Sequence, residues 1–227
     1  MLRTDAERAL AYLARAAWLA GRSPELATAL VEEGAILRLG AGQWAQAEGD
    51  EETGLLLVIE GSVQLFCAVS GDREVLVGHA GPGATIGQTL RFGGGPRLTT
   101  AICVEPSTVL KVSDQALSRI EARHPEIWRA VATLVYMQLR GALLMAAEAV
   151  ALPARQRLAA RLVLMMRAMD NSPVLRLSQQ ALAEMVGLTR KSVNAFLSEF
   201  RVRGLVRLGY GEIEVLDLEG LKRVADS

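Results

Sequence analysis

Histidine and cysteine are nearly missing, with two of each in 227 residues. His79 and His124 are far apart in sequence, so the clustered His and carboxylate ligands of a metal-dependent barrel enzyme are not available. The expectation is a protein that is not an enzyme and carries no resident metal or cofactor. Cys67 and Cys103 form no CxxC pair and have no neighbouring histidine, which excludes a compact zinc set. Two buried free thiols are expected; a redox pair stays open, because both fall in strand-like stretches at positions that point into one barrel. Also missing are a run of eighteen apolar residues and a basic start leading into an apolar stretch and a small-residue cleavage site. The expected location is therefore the cytoplasm, with no membrane contact. Net charge is absent too, since 25 Lys plus Arg balance 25 Asp plus Glu, and taken alone this argues against a polyanion partner.

The balance is uneven along the chain. From Leu152 to the C-terminus there are 12 basic and 8 acidic residues, a net of +4, and residues 1–151 carry 13 against 17, a net of −4. The length suits two domains better than one. Within the basic part, Ser178 to Leu208 reads as two short helices around a tight turn, followed by a β-hairpin. Ala183 is small where the first helix must approach the second, and Gly187 supplies the positive φ that a sharp reversal needs. Leu188 anchors the exit, and Thr189 is the N-cap of the second helix. Val193, Phe196 and Leu197 make its inward stripe, leaving Arg190, Lys191, Ser192, Asn194 and Ala195 on or beside the outward face. Gly204 ends the helix, and Leu205 to Leu208, Gly209-Tyr210-Gly211 and Ile213 to Val215 read as strand, turn and strand, a wing. An ordinary helical hairpin would explain the apolar spacing but not its coincidence with the glycine, the cap and the wing. The basic residues Arg190, Lys191, Arg201, Arg203 and Arg207, against the single acid Glu199, suit a phosphate backbone.

The first half is a run of short strands punctuated by glycine: Leu55 to Ile59, Val63 to Val69, Glu74 to His79, Leu98 to Val104 and Thr108 to Val112. Ser70-Gly71-Asp72-Arg73 and Gly81-Pro82-Gly83 supply turns, and the pattern predicts a double-sheet jelly roll. Pro125 to Ala151 reads as one long helix, on which Ile127, Val131, Val135, Leu139, Ala142, Ala146 and Ala149 recur every three or four residues. This stripe is read as a dimer seam, the competing reading being a helix packed on its own barrel. A two-fold dimer would set two recognition helices in successive major grooves of a near-palindromic site. Pro153 breaks the helix, and Arg155 to Met169 makes a further amphipathic helix. The fold class is thus α+β: residues 1–124 a sensor jelly-roll barrel with N-terminal helices, 125–151 a dimerisation helix, 152–227 a winged helix-turn-helix.

This order of parts resembles the CRP/FNR family of bacterial transcription regulators. The resemblance rests on Gly49-Asp50, the Val58-Ile59-Glu60-Gly61-Ser62-Val63 strand, Pro82-Gly83 with Ile86-Gly87, and Pro153-Ala154 with Arg157-Leu158-Ala159, and it spans nearly the whole chain. It implies a homodimer on double-stranded promoter DNA, contact with RNA polymerase, and a signal received in or near the barrel. The DNA-binding positions it suggests are Ser178, Gln179, Thr189, Arg190, Lys191, Ser192, Asn194 and Arg201; the familiar Glu and Arg of the recognition helix are Lys191 and Ala195 here. Arg or Lys to guanine and Asn to adenine would be the natural base contacts, with Thr189 and Ser192 suited to phosphates. The candidate effector pocket is Gly87, Gln88, Arg97 and Leu98. Cyclic AMP binders of the family carry Gly-Glu there and Arg followed by Ser or Thr; this chain has Gln88 and Leu98, and Ala142 and Leu143 stand where helix hydroxyls would meet the base. The effector is therefore expected to be unknown or absent and not cyclic AMP, the alternative being a cyclic-nucleotide-responsive regulator with a divergent pocket. No cysteine precedes Cys67 to hold an iron-sulfur cluster. His79, the one candidate haem ligand in the barrel, stands just before a turn, where a structural or exposed histidine is expected. Two further readings are a ligand-binding barrel with a vestigial DNA domain and a metal-dependent barrel enzyme; neither explains why the basic residues gather behind Leu152.

Overall fold

A computed structural model describes residues 4–71, 73–91, 94–168 and 173–227. Asp72 of the expected turn, Gly93 of the glycine run and Met169 at the expected helix end lie outside the described residues. Two helices open the chain. In α1 (Asp5–Leu13) Thr4 accepts from the Glu7 N–H and the Glu7 carboxylate accepts from the Thr4 N–H, a complete capping box. In α2 (Pro24–Glu33) Ser23 caps the helix and Pro24 fixes its first turn.

Eight strands follow: β1 (Ala35–Leu39), β2 (Trp44–Gln46), β3 (Gly54–Glu60), β4 (Val63–Val69), β5 (Arg73–Ala80), β6 (Thr85–Gln88), β7 (Thr100–Cys103) and β8 (Ser107–Ser113). They form two four-stranded antiparallel sheets, ordered β1-β8-β3-β6 and β2-β7-β4-β5, which is the jelly roll the glycine-punctuated strands predict. The sheet positions explain why β3 is apolar without alternation. Its Leu55, Leu57 and Ile59 lie under the helices α1 and α2, while Leu56 and Val58 fill the barrel, so both faces are buried. The strand expected from Leu98 to Val104 is shorter, because Leu98 is 70% exposed and only Thr100–Cys103 pair. β1, β2 and β6 were not among the predicted strands.

After α3 (Asp114–Glu121), capped by Ser113, the long helix α4 runs Ile127–Ala151. Its expected seam needs correction. Ile127 and Val131 are buried in the chain's own core with Trp128, Ala130 and Leu134, packed against α1, α2 and β3. The uncovered stripe begins further along: Tyr136, Leu139, Leu143 and Val150 are exposed large apolar residues, with the exposed Ala146 between the last two. By length and composition α4 is also apolar enough to cross a membrane, but its first two turns are sunk in the core.

The register does not support an internal redox pair. Cys103 on β7 is opposite Val63 of β4, four residues from Cys67 on that strand. At the strand rise this is about 13 Å, well beyond the roughly 7 Å that a disulfide spans.

The C-terminal part contains α5 (Ala154–Ala168), β9 (Val174–Leu175), α6 (Gln179–Val186), α7 (Arg190–Val202), β10 (Val206–Gly209), β11 (Glu212–Val215) and α8 (Leu218–Ala225). β9 adds to the wing, giving the sheet order β10-β11-β9. Leu158, Leu162, Leu182, Leu197, Phe200 and Leu221 are its fully buried centre, and Phe66 of β4 and Leu76 of β5 join that core from the barrel. His79 pairs with Gln64, so it shares the sheet face of Phe66 that meets α6. Neither ring nitrogen has a hydrogen-bond partner among the described residues, and burial lowers the imidazole to about 4.

A histidine held neutral in the folded state binds fewer protons there than in the unfolded chain between pH 6.5 and 4. Stability is full above that window and falls as pH drops through it, by at most about 1.4 kcal/mol per pH unit from this group. In urea titrations at pH 7 and pH 5 we expect His79→Leu to lose less stability between the two than the native chain does; parallel losses would exclude His79 as the cause.

Candidate DNA-reading face and barrel pocket

The local rules that build the helix-turn-helix also expose its reading face. Ser178 Oγ caps α6 by accepting from the Ala181 N–H (3.1 Å), and α6 closes on Gly187 at φ +63°. The Leu188 N–H returns to the Ala183 carbonyl (2.9 Å), the main-chain closure that a left-handed Gly187 permits, and the small Ala183 is itself buried. Thr189 Oγ1 accepts from the Ser192 N–H (3.1 Å) and starts α7. Val193, Leu197 and Phe200 are buried beneath α7; Phe200 is a core position that the sequence reading did not name. On the opposite side Arg190, Lys191, Asn194 and Ala195 are exposed at its N-terminal end. Gln179 is half-buried in the first turn of α6, and Arg201 is exposed near the end of α7.

Charge on this face is sorted by ion pairs. Glu199 takes three hydrogen bonds from Arg155 of α5 (3.0 and 2.8 Å to Oε1, 3.1 Å to Oε2) and pairs with Arg203 (3.4 Å). The Arg155 guanidinium, ahead of Arg203, holds the Glu199 carboxyl below its ordinary value. Arg207 pairs with Glu214 across the wing. The side chains of Arg190, Lys191 and Arg201 have no ion-pair or hydrogen-bond partner among the described residues. Of five basic residues, two are therefore neutralised within the chain and three remain available to an anion. The wing tip adds Tyr210, fully exposed between Gly209 and Gly211.

One arginine of α5 joins this unit to α4. Arg157 donates to the Val186 carbonyl at the end of α6 (3.0 Å) and to the Ala149 and Leu152 carbonyls at the end of α4 (3.2 and 3.5 Å). These are the acceptors that a helix leaves unpaired at its C-terminus, where a cation is favoured.

In the barrel the candidate pocket residues lie together, but their polar groups face the chain itself. Gln88 donates through Nε2 to the carbonyls of Gly95 (2.9 Å) and Pro96 (2.7 Å), and its Oε1 accepts from the Leu98 N–H (3.1 Å). Arg97 is buried and donates to the carbonyls of Glu52 (3.1 Å) and Gly54 (2.9 Å). Burial lowers the Arg97 guanidinium from its ordinary value, opposed by Asp114, Asp50 and Glu52. Gly87 is packed so tightly that a Cβ there would stand 2.5 Å from the Gly54 carbonyl oxygen. A cavity of about 10 Å³, lined by Leu13, Trp18, Leu55 and Leu110 among others, has room for one water and no more. No group of three potential metal ligands occurs among the described residues.

Two family models match: a cyclic nucleotide-binding domain over residues 36–124 and a Crp-like helix-turn-helix domain over residues 156–224. The chain belongs to the CRP/FNR family of bacterial transcription regulators. A cyclic AMP receptor protein of Thermus thermophilus is 29% identical over 178 residues, covering 78% of this chain and 82% of its own length. A CRP-like cAMP-activated global transcriptional regulator of Mycobacterium tuberculosis is 27% identical over 219 residues, 94% and 98% of the two chains. Among solved structures, FixK2 from Bradyrhizobium japonicum shares the fold at a TM-score of 0.72, with 18% identity, over 84% of this chain and 96% of that one. The family is one of transcription regulators, in agreement with the DNA-binding reading of α6 and α7.

Within this CRP/FNR architecture Arg157 is the joint between the helix-turn-helix and α4. Arg157→Met keeps the stem but leaves three carbonyls without their donor, and we expect a loss of about 1–3 kcal/mol in chemical unfolding. An unchanged midpoint would show that water replaces the guanidinium at no cost.

Proposed function

We propose that this regulator acts as a homodimer on a near-palindromic promoter site, reading bases with the N-terminal turns of α7. The observation that carries the reading is the unpaired Arg190 and Lys191, with exposed Asn194, at the start of a helix whose one acid, Glu199, is neutralised from behind by Arg155. Thr189 and Ser192 lie beside them, and Ser178, Gln179 and Arg201 complete the phosphate-facing set. Dimerisation is supported by the spacing of Tyr136, Leu139, Leu143, Ala146 and Val150, which alternates three and four residues. That is the heptad rhythm of a two-helix seam, and Tyr136 (64%) and Val150 (91%) are too exposed to be left to solvent without another reason. Residues 1–124, 125–151 and 152–227 then serve as sensor barrel, dimerisation helix and DNA-binding domain. The protein works in the cytoplasm, where RNA polymerase is the natural further partner.

Cyclic AMP appears in the names of two relatives, but the residues here do not offer it a site. Gln88 turns its carboxamide, and Arg97 its Nε and Nη1, to main-chain partners, and Ala142 and Leu143 bring no hydroxyl. The effector is either another small molecule or none. Calorimetry with cyclic AMP is expected to give no binding at micromolar concentration, and a micromolar dissociation constant would restore the cyclic-nucleotide reading.

The Leu139→Glu, Leu143→Glu double variant places carboxylates in the seam, and light scattering should find a folded monomer that no longer shifts a selected DNA site. A dimer of unchanged stability would move the interface elsewhere. On a site selected from a random pool, Arg190→Ala or Lys191→Ala should cost about 1–3 kcal/mol if the residue reads a base. Arg203→Ala, already paired to Glu199, should cost less. An equal small loss on every sequence would assign the residue to the backbone.

A further inference from the structure

The segment 95–98 is held from both sides by the chain itself. On one side are the three hydrogen bonds of the Gln88 carboxamide to Gly95, Pro96 and Leu98. On the other, the Arg97 N–H donates to the Asp50 carbonyl (2.9 Å), the Gly49 N–H donates to the Arg97 carbonyl (2.9 Å), and the Arg97 guanidinium reaches Glu52 and Gly54. Side-chain burial cannot do this work at the end of the segment, because Leu98 points into solvent. The residue before Gln88 is in turn gripped by the long helix: Gln138 of α4 donates to the Gly87 carbonyl (2.9 Å) and accepts from the Gly87 N–H (3.3 Å). Loop, strand β6 and α4 are thus one continuous run of amide hydrogen bonds, Leu98 to Gln88, Gln88 through the peptide to Gly87, and Gly87 to Gln138.

We propose that Gln88 is a built-in latch, closing the 95–98 segment and, through Gly87 and Gln138, fixing α4 against the barrel so that the regulator binds DNA without a small molecule. The inference rests on the DNA-binding reading above. In the arrangement that holds these bonds, Arg190, Lys191 and Asn194 are exposed. Each link is an amide donating to a main-chain carbonyl or accepting from a main-chain N–H, so its polar groups are satisfied with no added ligand.

The test uses the full chain and two readouts, amide hydrogen exchange at Leu98 and affinity for a DNA site selected with the native protein in the absence of metabolites. The native chain should protect the Leu98 amide and bind without additives. Gln88→Ala should speed Leu98 exchange tenfold or more and weaken DNA binding about tenfold. Gln88→Glu keeps an acceptor for the Leu98 N–H but sets a carboxylate oxygen against the Gly95 and Pro96 carbonyls; it should weaken DNA binding about tenfold as well, and covers the case in which the alanine variant folds poorly. Gln138→Ala should weaken DNA binding similarly while Leu98 stays protected, since only the second link is cut. If Gln88→Ala frees the Leu98 amide and DNA affinity does not change, the latch is a local brace and the proposal fails. A native chain that needs cyclic AMP to bind DNA also overturns it. A native chain that protects Leu98 but binds no sequence in the pool overturns the DNA-binding reading on which it rests, a failure distinguishable from the other two.

Discussion

Helix ends carry carbonyls that their own helix cannot satisfy, and in this protein two such ends are brought to one guanidinium. Arg157 takes acceptors from the last turn of α4 and the last residue of α6, so the long helix and the helix-turn-helix cannot separate without exposing or orphaning them. Arg155, two residues earlier, reaches α7 through Glu199, and Arg161, one turn later, reaches the Met185 carbonyl. A single short helix thus fixes the reading helix relative to α4 through three arginines on different partners. If the chain reads DNA as the proposed dimer, that arrangement sets the spacing of its two recognition helices, which must match successive turns of the duplex.

The same economy governs the contact between barrel and DNA-binding unit. Phe66 and Leu76 leave the barrel surface and enter the core formed by α5 to α8, so the outer face of the β4-β5 pair is not solvated as an edge sheet would normally be. Arg176 and Glu105 add a long ion pair at the margin, which at its exposure contributes little. The apolar contact is what matters, and the unpartnered His79 imidazole sits on that sheet face, neutral because a charged ring there would have no water.

How much of this could be read from residues alone follows from where each signal resides. The helix-turn-helix was legible because its determinants are local: Gly187 at positive φ, Thr189 as a cap and Ala183 at the crossing lie within seven residues of one another. The central barrel strands were legible from their apolar runs and glycine turns. β1, β2 and β6 were not, since they are short and have no buried run of their own; their burial patterns come from partners such as β8 and β7, distant in sequence. The apolar stripe of α4 reads as one face from Ile127 onward, but periodicity gives a helix face and not what covers it: Ile127 and Val131 meet the chain's own core while Leu139 and Leu143 do not. Gly87, Gln88, Arg97 and Leu98 do lie together, yet the direction of the Gln88 and Arg97 side chains is a tertiary fact that no spacing encodes.

That direction has a consequence for how a barrel of this type senses. Recognition of a polar ligand exchanges hydrogen bonds to water for hydrogen bonds to the site, and groups already bonded within the chain must first give up those partners. Gln88 and Arg97 already hold theirs, and displacing five main-chain hydrogen bonds to admit a phosphate or a hydroxyl would recover few more than it breaks. On the proposed reading, the chain keeps the geometry of a sensing barrel and fills these polar positions from within, so that the order of the 95–98 segment would be a property of the sequence and not of a metabolite. Control by such a protein would then reside in its amount and in the sites it reads, through Arg190, Lys191 and Asn194, more than in the occupancy of a pocket.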